Sequence, residues 1–293
     1  MFRTIGHTFE LMKMSWRVLM QDRELIFFPI FGVIGAVIVG GIFYLLASGA
    51  GTLDRLEEIT AASEQVGTAA EPVALQAVDV VLLVFVFISV YFVTIFFNAA
   101  LVSAALERLR GGDPNISSGL SHASKHIPAI LGWAIISASV GLILMILKSK
   151  ADNFVSRMVI SMIGGVWDLM TFFVVPILVS EGTSPFGSIK RSSGLVRQTW
   201  GRQITASFGF QLVYLIAGVI AIAPAALLFA LSPFLGIAVG VVTVSLAFGI
   251  VGALEGIFKA ALYEYAMGEQ PQGFEQATLK AAYQPDLRVQ QGV

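Results

Sequence analysis

The stretch SPFGSIKRSSGLVRQTWGR, residues 184–202, decides how this chain folds. On a helix, its apolar residues, with Phe186 first and Trp200 last, fall on one face at spacings of three and four. Ser184 suits the N-cap, and Pro185 suits the first helical position, where proline loses no hydrogen bond. The cations fall away from that face: Lys190, Arg191, Arg197 and Arg202. The stretch therefore predicts a basic amphipathic helix.

The beginning of the chain repeats this pattern at a constant offset. Phe2 and Trp16 correspond to Phe186 and Trp200, with apolar residues at the positions between them. This first helix, residues 2–22, carries three cations: Arg3, Lys13 and Arg17. Such a helix can lie in the membrane interface with its aromatic residues at the acyl boundary and its cations near anionic headgroups. Alternatively, its apolar face packs on the protein's own transmembrane bundle, and both can hold together.

The rest of the chain is strongly apolar. Its 293 residues are 56% hydrophobic and 13% charged, whereas soluble domains are about 25% charged. Apolar runs of about twenty residues are long enough to cross a bilayer as helices. We predict six such spans: Leu25–Ala47, Asp79–Leu106, Ile127–Leu147, Val159–Ser180, Ile204–Leu231 and Leu235–Tyr265. The first is too long for a signal peptide, so we expect it to be retained.

Several local features refine these spans. Trp167-Asp168 and Pro176 are expected to interrupt the fourth span. A small-residue stripe in the first span is predicted to admit another helix closely: Gly32, Ala36 and Gly40. The acidic loop 48–77 contains a segment, 52–65, that could form a surface helix.

A second repeat divides the chain. The sequence FNAAL at 97–101 resembles FKAAL at 258–262, each near the end of a span. The predicted fold is an all-α, polytopic transmembrane helical bundle with interfacial amphipathic helices, in which one amphipathic helix plus two spans occurs three times. It forms a single integral membrane domain, 1–293. The repeat units and the C-terminal element with its tail are 2–106, 115–180, 184–265 and 266–293.

The distribution of cations predicts the orientation. Only four of the 18 lysines and arginines fall on the side opposite the N-terminus: Arg55, Lys148, Lys150 and Arg157. By the positive-inside rule, both termini and all amphipathic helices lie in the cytoplasm. We therefore expect a multi-pass protein of the cell inner membrane.

Charged and polar side chains inside spans are candidates for a functional site. Glu255 and Lys259 lie four residues apart on one face of the sixth span and predict an ion pair. Asp168 in the fourth span has no partner nearby in the sequence. Three alternatives are open for its carboxyl group: it is protonated, it faces a water-filled cavity, or it hydrogen-bonds Asn98 or Tyr214 on another helix. Both a structural role and a role in handling ions or protons stay open.

Enzyme signatures are missing from the sequence. It has no phosphate-binding glycine loop, no HExxH and no GxSxG, and it contains no cysteine. His122 and His126 have the spacing of two metal ligands on a helix, but no carboxylate nearby supplies a third. The net charge of −1 gives no bias toward nucleic acid. We expect no enzymatic activity, no metal, no cofactor and no nucleic-acid partner.

The basic Phe/Trp helix before the first span and the FxAAL-type endings resemble a family of uncharacterised bacterial six-span membrane proteins. More remotely, the chain resembles the membrane domain that accompanies glycerophosphodiester phosphodiesterases. The resemblance covers roughly residues 2–283 and implies an integral fold in a bacterial or archaeal inner membrane. It carries over no catalytic residue, because the phosphodiesterase domain itself is missing from the sequence.

Three functional hypotheses follow. The leading one is a non-enzymatic membrane protein that binds lipids or assembles with itself or with a membrane-protein partner, because interfacial helices and small-residue stripes recur. The second is a transporter or channel that uses Asp168 and Glu255, as internal repeats with midplane polar groups are common in transporters. The third, a lipid-modifying enzyme, lacks a nucleophile–base pair or a metal set.

Overall fold

A computed structural model describes residues 2–64, 75–200 and 206–275, with side chains for 12–61, 75–197 and 213–275. All regular structure in these ranges is helical. A 3-10 turn, Arg23–Ile26, joins the first two helices. The helices are α1 (Phe2–Gln21), α2 (Phe27–Gly49), α3 (Thr52–Glu64), α4 (Ala77–Leu109), α5 (Ile116–Ser124), α6 (Ile127–Ser149), α7 (Phe154–Met170), α8 (Val174–Glu181), α9 (Pro185–Trp200), α10 (Ala206–Phe229) and α11 (Pro233–Ala266).

Among the described residues, five segments are long and apolar enough to cross a membrane, as expected for a multi-pass membrane protein. They are Arg23–Gly49, Ala77–Leu109, Ile127–Ser149, Phe154–Glu181 and Pro233–Ala266. Helix α10 occupies the place of the predicted fifth span, and its stretch Val213–Phe229 is a shorter apolar helix. The predicted sixth span, Leu235–Tyr265, is matched by Pro233–Ala266, whereas the predicted fifth span, Ile204–Leu231, and the threefold repeat stay predictions. The C-terminal amphipathic element lies almost wholly outside the described residues.

The fourth span is broken, but not where the sequence predicted. Helix α7 runs through Trp167-Asp168 without interruption, and the chain leaves the helix only at residues 171–173. Pro176 is the third residue of α8, within the first turn, where a backbone N–H has no helical partner to lose. The proline thus belongs to the start of a new helix and does not kink an existing one.

The ends of the helices show which elements meet. Arg108 at the end of α4 pairs with Asp22, which follows α1, and Arg110 pairs with Glu264 at the end of α11, at 2.7 Å. The beginning of α2 and the ends of α4 and α11 therefore share one end of the bundle. We call it the packed end, because buried residues concentrate there within 99–109 and 251–264.

The opposite end is loosely packed and is called the open end. Large apolar side chains there are exposed along the late turns of α2 and α10, in the turn after α10, and along the early turns of α4 and α11: Leu45, Phe85, Leu227, Leu231 and Phe234. Lipid tails are as apolar as these side chains, so their exposure inside a membrane costs little. The only surface helix described at this end is α3, which confirms the helix predicted within the acidic loop.

Glycines set the closest approaches between helices. A Cβ at Gly35 would lie 2.6 Å from Cγ1 of Val93 on α4, and one at Gly32 would lie 3.6 Å from Cβ of Phe97. A Cβ at Gly40 would meet no atom within 4 Å. The predicted close approach is thus real at Gly32 but not at Gly40, and Gly35 makes the tightest contact of the three.

Candidate functional site

Glu255 lies at the centre of a small polar cluster inside the bundle. The expected pair is present: Lys259 Nζ lies 2.8 Å from Glu255 Oε1. The hydroxyl of Tyr214 on α10 donates to Glu255 Oε2 at 2.9 Å, and Lys259 Nζ lies 5.3 Å from the ring centroid of Phe172. Both carboxylate oxygens thus have a donor, and the lysine also has an aromatic face. The arrangement compensates the partly buried charge of Glu255.

A cavity of about 520 Å³ borders this cluster. It lies between α2, α4, α10 and α11, with walls that are largely apolar or small, such as those formed by Gly32 and Ala36. Its polar groups come from Asn98, Tyr214 and Thr94. We call it the Asn98 cavity. Its shape and lining suit an apolar chain that carries a hydrogen-bonding group.

Asp168 lies elsewhere, on the wall of a second cavity of about 400 Å³ between α4, α6 and α7. Of the three alternatives that the sequence left open for Asp168, a hydrogen bond to Asn98 or Tyr214 is not found among the described residues: Tyr214 donates to Glu255, and Asn98 lines the other cavity. No described side chain hydrogen-bonds or ion-pairs with its carboxylate. We call this space the Asp168 cavity. The structure therefore separates the two acidic residues that the sequence grouped as one site.

A buried carboxylate at the open end escaped the sequence-based reasoning. Asp79 is fully buried and accepts hydrogen bonds from Arg55 Nε at 2.8 Å and Thr52 Oγ1 at 2.6 Å. It also accepts from the backbone N–H of Gln76 at 2.8 Å and so caps α4. The hydrogen bond to Asp79 raises the pKa of Arg55 above its ordinary value. The one cation of the acidic loop was the available signal, and the cluster joins α3 to α4.

The arginines at the packed end also hold helices together. Arg108 binds Asp22 through two nitrogens and Asp113 at 2.7 Å. The hydrogen bond from Arg110 to Glu264 raises the pKa of Arg110. Arg108 and Arg110 were counted in the sequence-based prediction of orientation. Both have specific carboxylate partners here, so they are poor candidates for ligand binding.

Helix α9 begins as predicted, with Ser184 Oγ accepting from the N–H of Gly187 at 3.2 Å. The sequence left open whether its apolar face lies on lipid or on the bundle, and the structure divides that face between the two sides. The residues packed on the bundle are Ser188, Ser192, Leu195 and Val196. Phe186 is 72% exposed and lies on the same side of the helix as Lys190 and Arg197, which are exposed too. Arg191 is also exposed and approaches Glu181 at 3.3 Å.

Helix α1 shows the same division. It buries Met14, Ser15, Val18 and Leu19, whereas Trp16 is 43% exposed and Lys13 and Arg17 are exposed. Trp16 therefore lies off the packed face, and its predicted place at the membrane interface stays a prediction. Arg202 lies outside the described residues, and the side chains of Phe2, Arg3 and Trp200 lie outside the described side chains.

The two histidines are close but have separate surroundings. His122 and His126 have ring centroids 5.6 Å apart, and His122 Nε2 lies 3.0 Å from the carbonyl oxygen of Val179. Burial, with the charges of His122 and Lys125, lowers the pKa of His126. Within the part of the chain that the structure describes, no three residues of the types His, Cys, Asp and Glu cluster as metal ligands.

Comparison with known proteins places the chain in a family. A model described as "Family of unknown function (DUF6159)" matches residues 77–274, more than half of the chain, which therefore belongs to this family. The match begins at the first residue of α4. No curated protein and no solved structure matches significantly. The resemblance to the membrane domain that accompanies glycerophosphodiester phosphodiesterases stays a prediction.

Proposed function

We propose that this member of a family of unknown function is a non-enzymatic membrane protein that binds anionic lipid headgroups along helices α1 and α9. One observation carries the proposal. Phe186 is 72% exposed beside the exposed cations Lys190 and Arg197, while the opposite face of α9 is buried in the bundle. A helix fixed on the protein by one face and presenting an aromatic ring and cations on the other suits a membrane interface.

Helix α1 supports the same proposal independently. Trp16 is exposed beside Lys13 and Arg17, and the other face of α1 packs on the core. Aromatic rings favour the boundary between headgroups and acyl chains, and each cation near an anionic surface contributes roughly 1 kcal/mol. Two such helices would hold headgroups around the packed end.

The test compares lipid retention between matched variants of the full chain. The protein is reconstituted in nanodiscs that contain phosphatidylglycerol and phosphatidylcholine, and native mass spectrometry counts the lipids that stay bound. We expect Lys190→Gln combined with Arg197→Gln to lose retained phosphatidylglycerol. Lys148→Gln combined with Lys150→Gln is the control, since it removes two exposed cations at the open end. Equal retention of phosphatidylglycerol by both double variants would refute the proposal.

The proposal includes the inner membrane and a cytoplasmic position for the termini. The cation distribution supports it, and the lack of cysteine in the sequence makes a direct test simple. We expect Glu58→Cys in α3 to react with an impermeant maleimide added to intact cells. Ser121→Cys in α5 should react only after lysis. The reverse labelling pattern would invert the topology.

Self-assembly, or assembly with a membrane-protein partner, belongs to the same proposal. The apolar side chains exposed at the open end support it, because helices can associate there through van der Waals packing. The native masses that report retained lipid also give the number of protein copies. A single copy at every protein concentration would remove self-assembly from the proposal.

A second candidate function is transport or conduction. Two observations favour it: Asp168 has no partner among the described side chains, and the fourth span is broken at residues 171–173 beside it. Broken helices with intramembrane polar groups are typical of transporter sites. Ion or proton flux in proteoliposomes that depends on Asp168 or Glu255 would favour this candidate over the first.

A further inference from the structure

The Asp168 cavity has a lining unlike that of its neighbour. Two tryptophans border it, Trp133 on α6 and Trp167 on α7, with ring centroids 5.9 Å apart and planes inclined by 24°. Tyr91 of α4 lines it as well, and a Cβ at Gly141 would lie only 2.7 Å from the Tyr91 hydroxyl. The glycine therefore leaves room for that hydroxyl. Three aromatic residues thus border one space inside the membrane.

Asp168 carries the one carboxylate among the described residues that line this cavity. Lys259 and Lys148 act on its carboxylate electrostatically, but neither lies within salt-bridge distance. An unpaired carboxylate is costly within a bilayer and needs a proton or a cation beside it. The side chain is exposed on the bundle surface, so a cation can reach it from outside the protein.

The chemistry of the lining favours an organic cation over a metal ion. Hard metal cations take about six oxygen ligands at short range, whereas this cavity offers a single carboxylate and a few hydroxyls. One hydroxyl, Ser137 Oγ, is buried without a hydrogen-bond partner among the described residues. Aromatic faces attract alkylammonium groups, and most strongly where water is excluded.

The position of the Asp168 cavity indicates how apolar an organic cation must be to reach it. Neighbouring residues on the same helices expose large apolar side chains, among them Ile135 on α6 and Val166 on α7. Where the bundle crosses the membrane, these side chains face lipid tails. A ligand that reaches Asp168 along this surface must itself partition into the bilayer. About 400 Å³ suffices for a trimethylammonium-sized group with part of an alkyl chain.

We propose that the Asp168 cavity binds a lipophilic organic cation, with the ammonium group held between the Asp168 carboxylate and the rings of Trp133 and Trp167. The site lies apart from the exposed faces of α1 and α9, so this inference goes beyond the proposed headgroup binding and does not depend on it. It concerns binding and requires no flux.

The experiment uses the full chain in nanodiscs and dodecyltrimethylammonium as the probe. Dodecanol and dodecyl sulfate keep the alkyl chain and change the charge, and empty nanodiscs report partitioning into lipid. Binding is followed by native mass spectrometry and by tryptophan fluorescence. We expect saturable binding of the cation alone. Asp168→Asn should weaken it at least about tenfold, and Trp167→Leu should weaken it by about fivefold.

Asp152→Asn serves as the matched control, because it removes an exposed acid in the loop before α7. It should bind the probe as the wild type does. Asp168→Asn keeps the shape of the side chain, so its loss of binding cannot come from a disrupted fold if its melting temperature is unchanged. If Asp168→Asn unfolds, Trp167→Leu with the same melting control decides the result.

Three outcomes would overturn the inference. The first is equal binding of the probe to Asp168→Asn and wild type. The second is equally tight, saturable binding of dodecanol, which would make the cavity a site for alkyl chains. The third is displacement of the probe by sodium or potassium ions but not by a second alkylammonium ion, which would assign the site to an inorganic cation. Unchanged headgroup retention in the Lys190/Arg197 variant would refute the proposed headgroup binding but would leave this inference standing.

Discussion

Two acidic residues within the predicted spans have opposite surroundings. Glu255 has a cation at 2.8 Å and a tyrosine hydroxyl at 2.9 Å, whereas Asp168 has neither among the described side chains and lines an open cavity. The protein itself therefore compensates the charge of Glu255, and no described side chain does so for Asp168. The difference shows that an acid within a span is evidence for a ligand only where the fold leaves it unpaired.

Replacement of Lys259, the partner of Glu255, should give the largest loss of stability. Lys259→Met leaves the Glu255 carboxylate without its counter-charge, and we expect unfolding free energy to fall by about 3 kcal/mol or more. SDS-driven unfolding in bicelles measures this loss. The double variant Glu255→Gln with Lys259→Met removes both charges and should recover most of the stability. A loss in the double variant as large as in the single would show that the pair matters through packing and not through charge.

The tyrosine should come next. Tyr214→Phe removes one donor to Glu255 and keeps the ring, which stacks on Phe248 with centroids 5.5 Å apart. We expect a loss of about 1–2 kcal/mol in the same unfolding assay, less than for Lys259→Met. Tyr91→Phe, in the Asp168 cavity, is the matched control. An equal loss in the two variants would contradict the assigned role of Tyr214.

His126 is a partly buried titratable group outside the spans, and its burial should make stability depend on pH. We expect this effect on stability to be smaller than that of Tyr214→Phe. Burial lowers its pKa from the ordinary 6.5, so the folded protein disfavours the proton that the unfolded chain accepts. Stability is therefore complete above about pH 7 and falls as the pH drops through 6.5 toward the folded pKa. His126→Gln should reduce this decrease between pH 7.5 and 5.5, and His122→Gln should leave most of it. A decrease unaffected by His126→Gln would assign it to other groups.

The smallest effect on stability belongs to Asp168. Since no described side chain pairs with its carboxylate, Asp168→Asn should leave the unfolding free energy within about 0.5 kcal/mol of wild type. The same SDS assay provides the measurement, and Asp152→Asn again gives the baseline for an exposed acid. A loss near that of Lys259→Met would mean that Asp168 is paired after all, and the contrast between the two acids would fail.

In the polar cluster around Glu255, sequence spacing predicted the contact with Lys259 but not the contact with Tyr214. Residues four apart on a helix meet by geometry, so the pair of Glu255 with Lys259 could be anticipated. Tyr214 lies 41 residues from Glu255, and Arg55 lies 24 residues from Asp79. Contacts of this separation depend on how helices pack. The sequence identified Glu255 and Asp168 as acidic residues within predicted spans. It did not determine which of the two has a compensating partner in the folded protein.

The sequence did not decide which side of α9 packs on the bundle. Apolar spacing alone leaves both lipid and the bundle open as the surroundings of the apolar face. At a membrane the outer side of a helix also meets apolar surroundings, so Phe186 can face outward. The packed side instead uses the small residues Ser188 and Ser192, which let the helix approach the bundle closely.

The break in the fourth span has a consequence for α9. The N–H of Phe173, three residues after the end of α7, donates to Ser192 Oγ at 3.1 Å. Backbone hydrogen bonds are worth most where water is excluded, so detachment of α9 would break a hydrogen bond made by the backbone of the span itself. We therefore expect α9 to stay attached to the bundle whatever the lipid composition. It completes the backbone of a membrane-crossing segment, and any force that lifts it acts directly on the chain five residues from Asp168.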